Sequence, residues 1–305
     1  MTGSNDRVLS RDALRALRTR SDAQGAARLA VHLGCLMAAG AWVALAEGWW
    51  LVPAVCVLGL IQAALFAPVH ETMHQTAFAS RRANAVVGWL TAAPSLLNAH
   101  FYTAFHLAHH RHTQIPGLDP ELLTPPPVTL LRYAARVLGV PYWALRARVI
   151  LDAWRGDLSA YPYITPAAAP AILRSVRAMS AVMAGGAIAS GLVFGWTAPF
   201  LFWVLPQLVG QPPLRAYLLV EHTGCSEDRN GLTNTRTTLT SPLVRLLMWN
   251  MPFHAEHHLY PSIPFHRLPA AHRAIRARLG FVQRGHTRWN LAYVRGLRGR
   301  RAISS

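Results

Sequence analysis

The chain has 305 residues, of which 52% are hydrophobic and only 14% are charged, yet its formal net charge is +17. All 30 basic residues are arginines, set against 13 acidic residues. A soluble domain has about 25% charged residues and a disordered basic segment is poor in apolar residues, so the composition argues against both classes. The arginines are largely excluded from two long apolar stretches. This argues against a nucleic-acid-binding fold and favours a membrane protein with its charge on one side.

The first apolar stretch, residues 29–70, follows an arginine-rich N-terminal segment and contains one charged residue, Glu47. The dipeptide Glu47-Gly48 divides it into two spans of about 18–20 residues, each long enough to cross a bilayer as a helix. Trp49 and Trp50 at the break are typical of a membrane interface. The pattern therefore predicts a transmembrane hairpin.

Residues 83–105 are apolar with polar interruptions and predict a helix on the membrane surface. Residues 128–177 carry spaced Arg and Trp typical of interfacial helices.

The second apolar stretch, residues 178–214, has no charged residue. With its continuation to Val220 it predicts a second hairpin. Arg215 is expected near the returning end, where a long side chain can reach the interface.

Two complete hairpins return the chain to its starting side, so all the arginines lie on or near one side, which the positive-inside rule makes the cytoplasm. We predict an all-α integral membrane fold with four transmembrane helices as two hairpins, interfacial helices and a cytoplasmic histidine-rich cap. Both termini are expected in the cytoplasm. The predicted segments of this single domain are the N-terminal amphipathic segment (1–28), the first hairpin (29–70), a cytoplasmic or interfacial region (71–177), the second hairpin (178–220), a third cytoplasmic region (221–269) and a basic tail (270–305).

Histidines cluster at the predicted cytoplasmic ends of these spans, in one HxxxH motif, two HxxHH motifs and one Glu-His pair. Side chains three and four residues apart share a face of a helix, so each motif can direct its imidazoles to one side, as a metal site requires. The candidate metal ligands are His70, His74, His106, His109, His110, His222, His254, His257 and His258.

Nine imidazoles imply two metal ions, because one ion takes at most about six ligands. Imidazole suits iron, zinc and copper, so ligand type alone does not choose among them. Side chains beside the motifs are candidates to orient the imidazoles through hydrogen bonds. These are Glu71, Asp119, Glu221, Asn250 and Glu256.

The order HxxxH, HxxHH, HxxHH resembles the membrane fatty-acid desaturase and hydroxylase superfamily. The stretch Glu221-His222-Thr223-Gly224 is similar to an extra EHxG motif of alkane monooxygenases. The resemblance covers about residues 66–269. It implies two non-haem iron ions held by the nine histidines, O2 as co-substrate, and attack on an unactivated C–H bond of a fatty-acyl or lipid-like chain in an apolar tunnel. No catalytic residue is assigned beyond the metal centre.

The sequence departs from the family pattern in two motifs. The first has three residues between its histidines, where many acyl-CoA desaturases have four, and the last begins with His254, where front-end desaturases often have Gln. The chain lacks the His-Pro-Gly-Gly motif of a fused haem domain. We therefore expect a separate electron donor, ferredoxin with its reductase, docking on the arginine-rich face.

Fatty-acid desaturation is the predicted activity. Hydroxylation or monooxygenation of an alkyl chain, oxidative decarboxylation and carotenoid ketolation stay open on the same scaffold, and a membrane metal transporter is the remote alternative. A transporter needs polar groups near the bilayer midplane, whereas these histidines gather at one mouth.

Overall fold

The computed structural model describes residues 8–303. Residues 1–7 and 304–305, and with them the predicted cytoplasmic termini and the outer ends of the predicted N-terminal segment and basic tail, lie outside the described residues. The described chain is mostly helical. Its α-helices are α1 (Arg11–Leu17), α2 (Asp22–Leu45), α3 (Leu51–Ala64), α4 (Phe66–Met73), α5 (Arg81–Ala92), α6 (Ala99–His112), α7 (Leu130–Val137), α8 (Val140–Arg155), α9 (Ala169–Phe194), α10 (Thr197–Pro199), α11 (Leu205–His222), α12 (Pro242–Leu247), α13 (His254–Leu259), α14 (Leu268–Ile275) and α15 (His286–Ile303).

Shorter helical turns link several of these helices. They are the 3₁₀ turns Gly48–Trp50, Ala93–Ser95, Pro120–Leu123 and Arg276–Arg278 and the π turn Phe200–Val204. Many helices begin where the sequence supplies a side-chain oxygen that accepts a backbone N–H of the first turn. These capping residues are Ser10, Ser21, Ser80, Asn98, Thr129 and Ser241.

Within the described residues, three helical stretches are long and apolar enough to cross a membrane: Asp22–Leu45, Gly48–Met73 and Ala169–Phe194. The first two correspond to the predicted first hairpin, with the break at residues 46–47. The third corresponds to the first half of the second hairpin and ends before Gly195, whose φ of 83° is readily adopted by glycine. The sequence-based prediction of an all-α membrane protein is thus supported in its main features.

The fourth predicted span corresponds to the π turn followed by α11, which is not among these three stretches. Gln207, Gln211 and Arg215 make it more polar than the other spans. Because α11 packs extensively along α3, part of its surface is covered by protein. Polar groups inside a membrane protein are tolerated where protein lines them.

Helices α3 and α11 run in the same direction. Leu205 packs with the cluster around Leu58 near one end, and Leu214 packs with Ala64 near the other. Both helices therefore lead towards the same end of the molecule, where α4 continues from α3.

The α3–α11 contact combines backbone proximity with polar pairing. A Cβ atom added to Gly210 would lie 2.6 Å from the carbonyl carbon of Gly59, so only glycine permits this approach. Nearby, the Gln62 side-chain amide donates to the Phe202 carbonyl at 2.7 Å, and Gln207 donates to the Gln62 amide oxygen at 3.0 Å. Gln62 and Gln207 of the two helices are thus paired with each other.

A small parallel sheet departs from the all-α prediction. Strand β1 (Thr237–Leu239) pairs with β2 (Val282–Arg284) in the register Thr237 to Val282. The pairing ties the segment after α11 to the C-terminal part of the chain. Asn290 on α15 adds a second tie by donating to the Ala216 carbonyl of α11 at 3.0 Å.

Candidate metal centre

Four helices bring the nine predicted imidazoles to one end of the bundle. The last turn of α4 carries the HxxxH motif, α6 carries the first HxxHH motif, α11 ends at His222, and α13 carries the second HxxHH motif. The rings of successive helices contact one another: the centroids of His110 and His258 lie 4.1 Å apart, and those of His109 and His222 lie 4.8 Å apart. The structure therefore brings together all nine predicted ligands.

The first group contains five imidazoles, each with one nitrogen within 4.8 Å of the others: His70, His74, His106, His110 and His257. Four of their Nε2 atoms form a closed ring. The Nε2 atom of His106 lies 3.0 Å from that of His74 and 3.1 Å from that of His110. The Nε2 atom of His257 closes the ring at 3.2 Å from both His74 and His110.

Hydrogen bonding alone does not satisfy this ring. Nε2 of a neutral imidazole carries either one hydrogen or one lone pair, so each nitrogen can use only one of its two short contacts as a hydrogen bond. A cation inside the ring removes the conflict, because all the lone pairs can point at it. Two nitrogens bound at right angles to one ion, with bonds of about 2.1 Å, lie about 3.0 Å apart, close to the observed spacings. The donor set therefore fits a metal ion.

The second group contains His109, His222 and His258, again with donor nitrogens within 4.8 Å of one another. His254 adjoins it, because its Nε2 atom lies 3.1 Å from that of His258. The Nε2 atom of His222 is buried and has no hydrogen-bond partner among the described residues. An unpaired nitrogen beside other imidazoles is a second indication of an ion-binding site.

Burial sets the charge state of these rings. It lowers the pKa of His106, His110, His254, His257 and His258 well below the ordinary value, and repulsion from neighbouring imidazoles lowers it further. These five rings are therefore neutral near pH 7 and present lone pairs. That is the form of histidine that binds metal ions.

Two of the predicted orienting side chains contact the imidazoles. Asp119 accepts a hydrogen bond from Nδ1 of His109, with its two oxygens at 2.9 and 3.1 Å, which turns Nε2 of His109 towards the second group. An Oε2 atom of Glu221 lies 3.5 Å from Nε2 of His254. Glu221 therefore approaches a candidate donor atom rather than the back of the ring, and it can offer a carboxylate oxygen to the second group.

Glu71 and Asn250 contact other partners. One Glu71 oxygen accepts from the hydroxyl of Thr76 at 2.8 Å and from the backbone N–H of Phe265 at 3.2 Å, while the other lies 4.0 Å from Nδ1 of His70. Asn250 donates to the Phe265 carbonyl at 3.1 Å. Both side chains therefore fix the loop around residue 265 against the site, and neither makes a hydrogen bond to an imidazole.

Glu256 is also turned away from the candidate ligands. Its carboxylate accepts from the hydroxyl of Thr237 on β1 and pairs with Nδ1 of His272 on α14. His272 is buried, whereas the sequence suggested only a tail residue there. These contacts hold α13, and with it the last HxxHH motif, between β1 and α14.

Three further partners of the imidazoles were not predicted from the sequence. The Nδ1 atom of His222 donates to the backbone carbonyl of Asn234 at 3.1 Å. The Nδ1 atom of His258 lies 3.2 Å from the hydroxyl of Thr113. The hydroxyl of Tyr102, a residue one helical turn before His106 on α6, lies 3.4 Å from Nδ1 of His106. Only this last contact, at a spacing of four residues, follows from helix geometry.

A cavity of about 370 Å³ adjoins the two groups. Residues of opposite chemistry line it: three imidazoles, four guanidinium groups, two carboxylates and several aromatic rings. They include His70, His106, His254, Arg136, Arg146, Arg215, Glu121, Glu221, Phe105, Tyr142 and Tyr163. The cavity is therefore more polar than the apolar tunnel that the resemblance implied.

Arg215 lies on α11 beside the cavity. Its Cζ atom lies 4.3 Å from the centroid of the Tyr142 ring, and its side chain lines the cavity. The expected position of this side chain near the membrane interface stays a prediction.

Comparison with known proteins gives a consistent result. A family model described as Fatty acid desaturase matches residues 47–289. A dihydrorhizobitoxine desaturase of Bradyrhizobium elkanii is 27% identical over 292 residues, which cover 88% of this chain and 80% of that protein. A sphingolipid delta(4)-desaturase of Drosophila melanogaster is 24% identical over 250 residues, covering 80% of this chain and 72% of that protein. A beta-carotene ketolase of a Paracoccus species is 27% identical over 257 residues, covering 80% of this chain and 87% of that protein.

The matched range contains all nine imidazoles and the helices that carry them. The relatives are desaturases and a ketolase, which confirms the prediction of an oxidoreductase and rules against the transporter alternative. The chain belongs to the fatty acid desaturase family.

Proposed function

We propose that the protein is an oxygen-dependent, di-iron membrane desaturase acting on an unactivated C–H bond of a fatty-acyl or lipid-like molecule. The observation that carries the proposal is the convergence of nine imidazoles into two adjoining groups beside a cavity. Membership of the fatty acid desaturase family, which is generally di-iron dependent, supports iron over zinc or copper.

Each group would hold one iron. The first ion would be bound by His70, His74, His106, His110 and His257, and the second by His109, His222, His254 and His258. Glu221 is a further candidate ligand for the second ion. Neither group fills the roughly six positions that such an ion accepts, which leaves room for O2.

Bound iron would supply the activation of O2 and the removal of hydrogen from a saturated carbon. In desaturation, a –CH2–CH2– unit loses two hydrogens; with O2, two electrons and two protons, the products are one C=C bond and two waters. The protein's own residues keep most of the imidazoles neutral and oriented, and they would hold the substrate C–H bond beside the ions in the adjoining cavity.

Hydroxylation is the second candidate, and the similarity to a ketolase favours keeping it. It takes the same first hydrogen, but one oxygen atom of O2 enters the product and the other leaves as water. Oxidative decarboxylation and ketolation would also begin by attack on a C–H bond. The mass of the product distinguishes these reactions.

The membrane arrangement that we propose has four spans, with α11 as the last. Trp49, Trp50 and Trp196, beside the breaks of the two hairpins, are largely exposed, as aromatic residues at a membrane interface are. The arginines lie towards the other ends of the spans. We therefore propose that the metal centre and both termini face the cytoplasm, where an acidic donor such as ferredoxin, reduced by its reductase, meets a basic surface.

Reporter fusions test this orientation. A reporter that is active only outside the cytoplasm is expected to be inactive when fused after Ser305 and active when inserted at the turn between Gly195 and Trp196. The reason is that each hairpin returns the chain to its starting side. Activity of the fusion after Ser305 would contradict the proposed topology.

The purified wild-type protein tests the proposed reaction. It is expected to hold about two irons per chain, from the capacity of nine imidazoles. Cells that express it should accumulate a product lighter than its precursor by two hydrogens, measured by mass spectrometry against cells carrying an empty vector. A product heavier by one oxygen would identify a hydroxylase, and a protein that holds one zinc and no iron would refute the di-iron proposal.

A further inference from the structure

The cavity beside the imidazoles contains two guanidinium groups that have no hydrogen-bond or salt-bridge partner among the described residues. Arg146 on α8 is only 6% exposed, and Arg215 on α11 is partly buried. The Nε atoms of both are buried and unpaired, and in the part of the chain that the structure describes neither guanidinium makes a hydrogen bond or a salt bridge. Unpaired buried charge is costly, so these positions need an explanation.

An aromatic ring holds the two arginines together. The Cζ atoms of Arg215 and Arg146 lie 4.3 and 5.2 Å from the centroid of the Tyr142 ring. The Tyr142 hydroxyl donates to the Ser95 carbonyl at 2.6 Å, which fixes the ring. Arg146 also lies over Phe101, with its Cζ atom 5.7 Å from that centroid. Stacking on aromatic faces stabilises a guanidinium but leaves its N–H donors unused.

The acidic residues of the cavity do not pair with these arginines. Glu121 and Glu221 line the cavity, but within residues 8–303 neither lies within 4.0 Å of a guanidinium nitrogen. Two further arginines line the cavity and have partners: Arg136 donates to the Thr124 carbonyl at 3.1 Å, and Arg148 pairs with Asp152 at 3.4 Å. Within the described residues, Arg146 and Arg215 are thus left without an anionic partner.

We propose that Arg146 and Arg215 bind the carboxylate of the substrate, so that the enzyme acts on a free carboxylic acid and not on its ester or thioester. The inference rests on the proposed function. Guanidinium donors in a planar fork match a carboxylate, and the match is stronger in a buried site. The same cavity is lined by His70, His106 and His254, so the carboxylate and the C–H bond that reacts would share one cavity.

A small cavity that binds the carboxylate should also fix the position of the new double bond. At about 370 Å³ it lies at the small end of the range for ligand pockets. A substrate held by its carboxylate there presents a carbon at a fixed number of bonds from the carboxyl group. The position of the new double bond, counted from the carboxyl carbon, should therefore stay the same as the chain is lengthened.

Binding and turnover of matched ligands test the inference. The full-length, iron-loaded protein in lipid nanodiscs is titrated with octanoate, dodecanoate and hexadecanoate, with their methyl esters, and with dodecyl phosphate. The wild type should bind the acids more tightly than the esters or the phosphate. Arg146→Gln and Arg215→Gln should each weaken acid binding by about 10–100-fold, the expected effect of losing a charged hydrogen bond, and should raise KM more than they lower kcat. Binding of the esters should not change.

A control and a conservative variant sharpen the test. Arg155→Gln removes an exposed arginine from the same helix, α8, and should leave binding and turnover unchanged. Arg146→Lys keeps the charge but loses the fork, so it should weaken acid binding less than Arg146→Gln. It also carries the test if the glutamine variant fails to fold.

Three results would overturn the inference: equal binding of acids and esters by the wild type, tighter binding of dodecyl phosphate, or equal loss of acid and ester binding in the arginine variants. Iron content and product formation report on the proposed function separately. If esters and acids are oxidised alike, the proposed desaturase activity stands and the carboxylate site is refuted. If acid binding depends on Arg146 but the protein holds no iron and forms no product, the carboxylate site stands and the proposed function is refuted.

Discussion

Replacing His257 by alanine is expected to abolish turnover, with activity reduced by at least about 100-fold. Its Nε2 atom lies 3.2 Å from the Nε2 atoms of both His74 and His110, so its loss would open the ring of donors proposed to hold one ion. Removing only an outer partner of a ligand costs about 10–100-fold, and removing the ligand itself should cost more. Iron per chain and product per minute, both measured on purified protein, are the readouts.

His100→Ala is the matched control for this substitution. His100 lies on α6, the helix of the first HxxHH motif, but it is exposed and does not line the cavity. The control should retain iron and turnover, and both variants should insert into the membrane to the same extent, because insertion depends on the apolar spans. Full turnover of His257→Ala with unchanged iron would show that His257 is not a ligand.

Replacing Gly210 by alanine is expected to destabilise the folded protein by about 3 kcal/mol, the upper end of the usual cost of overpacking. The added Cβ would lie 2.6 Å from the Gly59 carbonyl carbon, and backbone atoms cannot move aside as a flexible side chain can. The α3–α11 contact would therefore separate, which displaces His222 at the end of α11. The midpoint of thermal unfolding in detergent, followed by tryptophan fluorescence, measures the effect.

Gly186→Ala in α9 is the control for Gly210. A Cβ added at Gly186 meets no heavy atom within 4 Å, and alanine favours a helix more than glycine does. This variant should be as stable as the wild type or more so. If Gly210→Ala unfolds at the same temperature as Gly186→Ala, the close approach of α3 and α11 is not part of the native structure.

Much of the candidate site could be predicted because it depends on helix periodicity. The spacings within His70–His74, His106–His110 and His254–His258 place imidazoles on one face, and the apolar spans before them set a common end. Asp119 was predicted from its position after the second motif, and it contacts His109. These inferences need only local geometry and the direction of the chain.

Other parts of the site depend on tertiary structure. Glu71 and Glu256 adjoin candidate ligands in sequence, but neighbouring residues on a helix do not face the same way, so both carboxylates turn to other partners. The Asn234 carbonyl is a backbone group and has no residue signature. The pairing of Arg146 with Arg215 depends on how α8 meets α11 around Tyr142, which no local pattern specifies.

In the fold, too, some features follow from local sequence pattern and others depend on tertiary contacts. Charge-free stretches and the breaks at Glu47 and Gly195 locate the first three candidate spans, because burial in lipid requires them to be apolar. The fourth helix is harder to recognise, since Gln207 and Gln211 are acceptable only when α3 and its neighbours cover them. The β1–β2 pair was missed because three-residue strands have too little pattern to detect.

Hydrogen bonds and strand pairing from the C-terminal part of the chain affect the order in which the enzyme folds during its synthesis. The candidate spans can enter the bilayer as they leave the ribosome, but three of the nine imidazoles come from α13. The segment that supports His222 through Asn234 is in turn held by residues near the C-terminus: Gly280 donates to the Leu232 carbonyl at 2.8 Å, and β2 pairs with β1. We therefore expect membrane insertion first and the complete set of nine imidazoles last, so a nascent chain already in the membrane would lack part of the proposed metal centre.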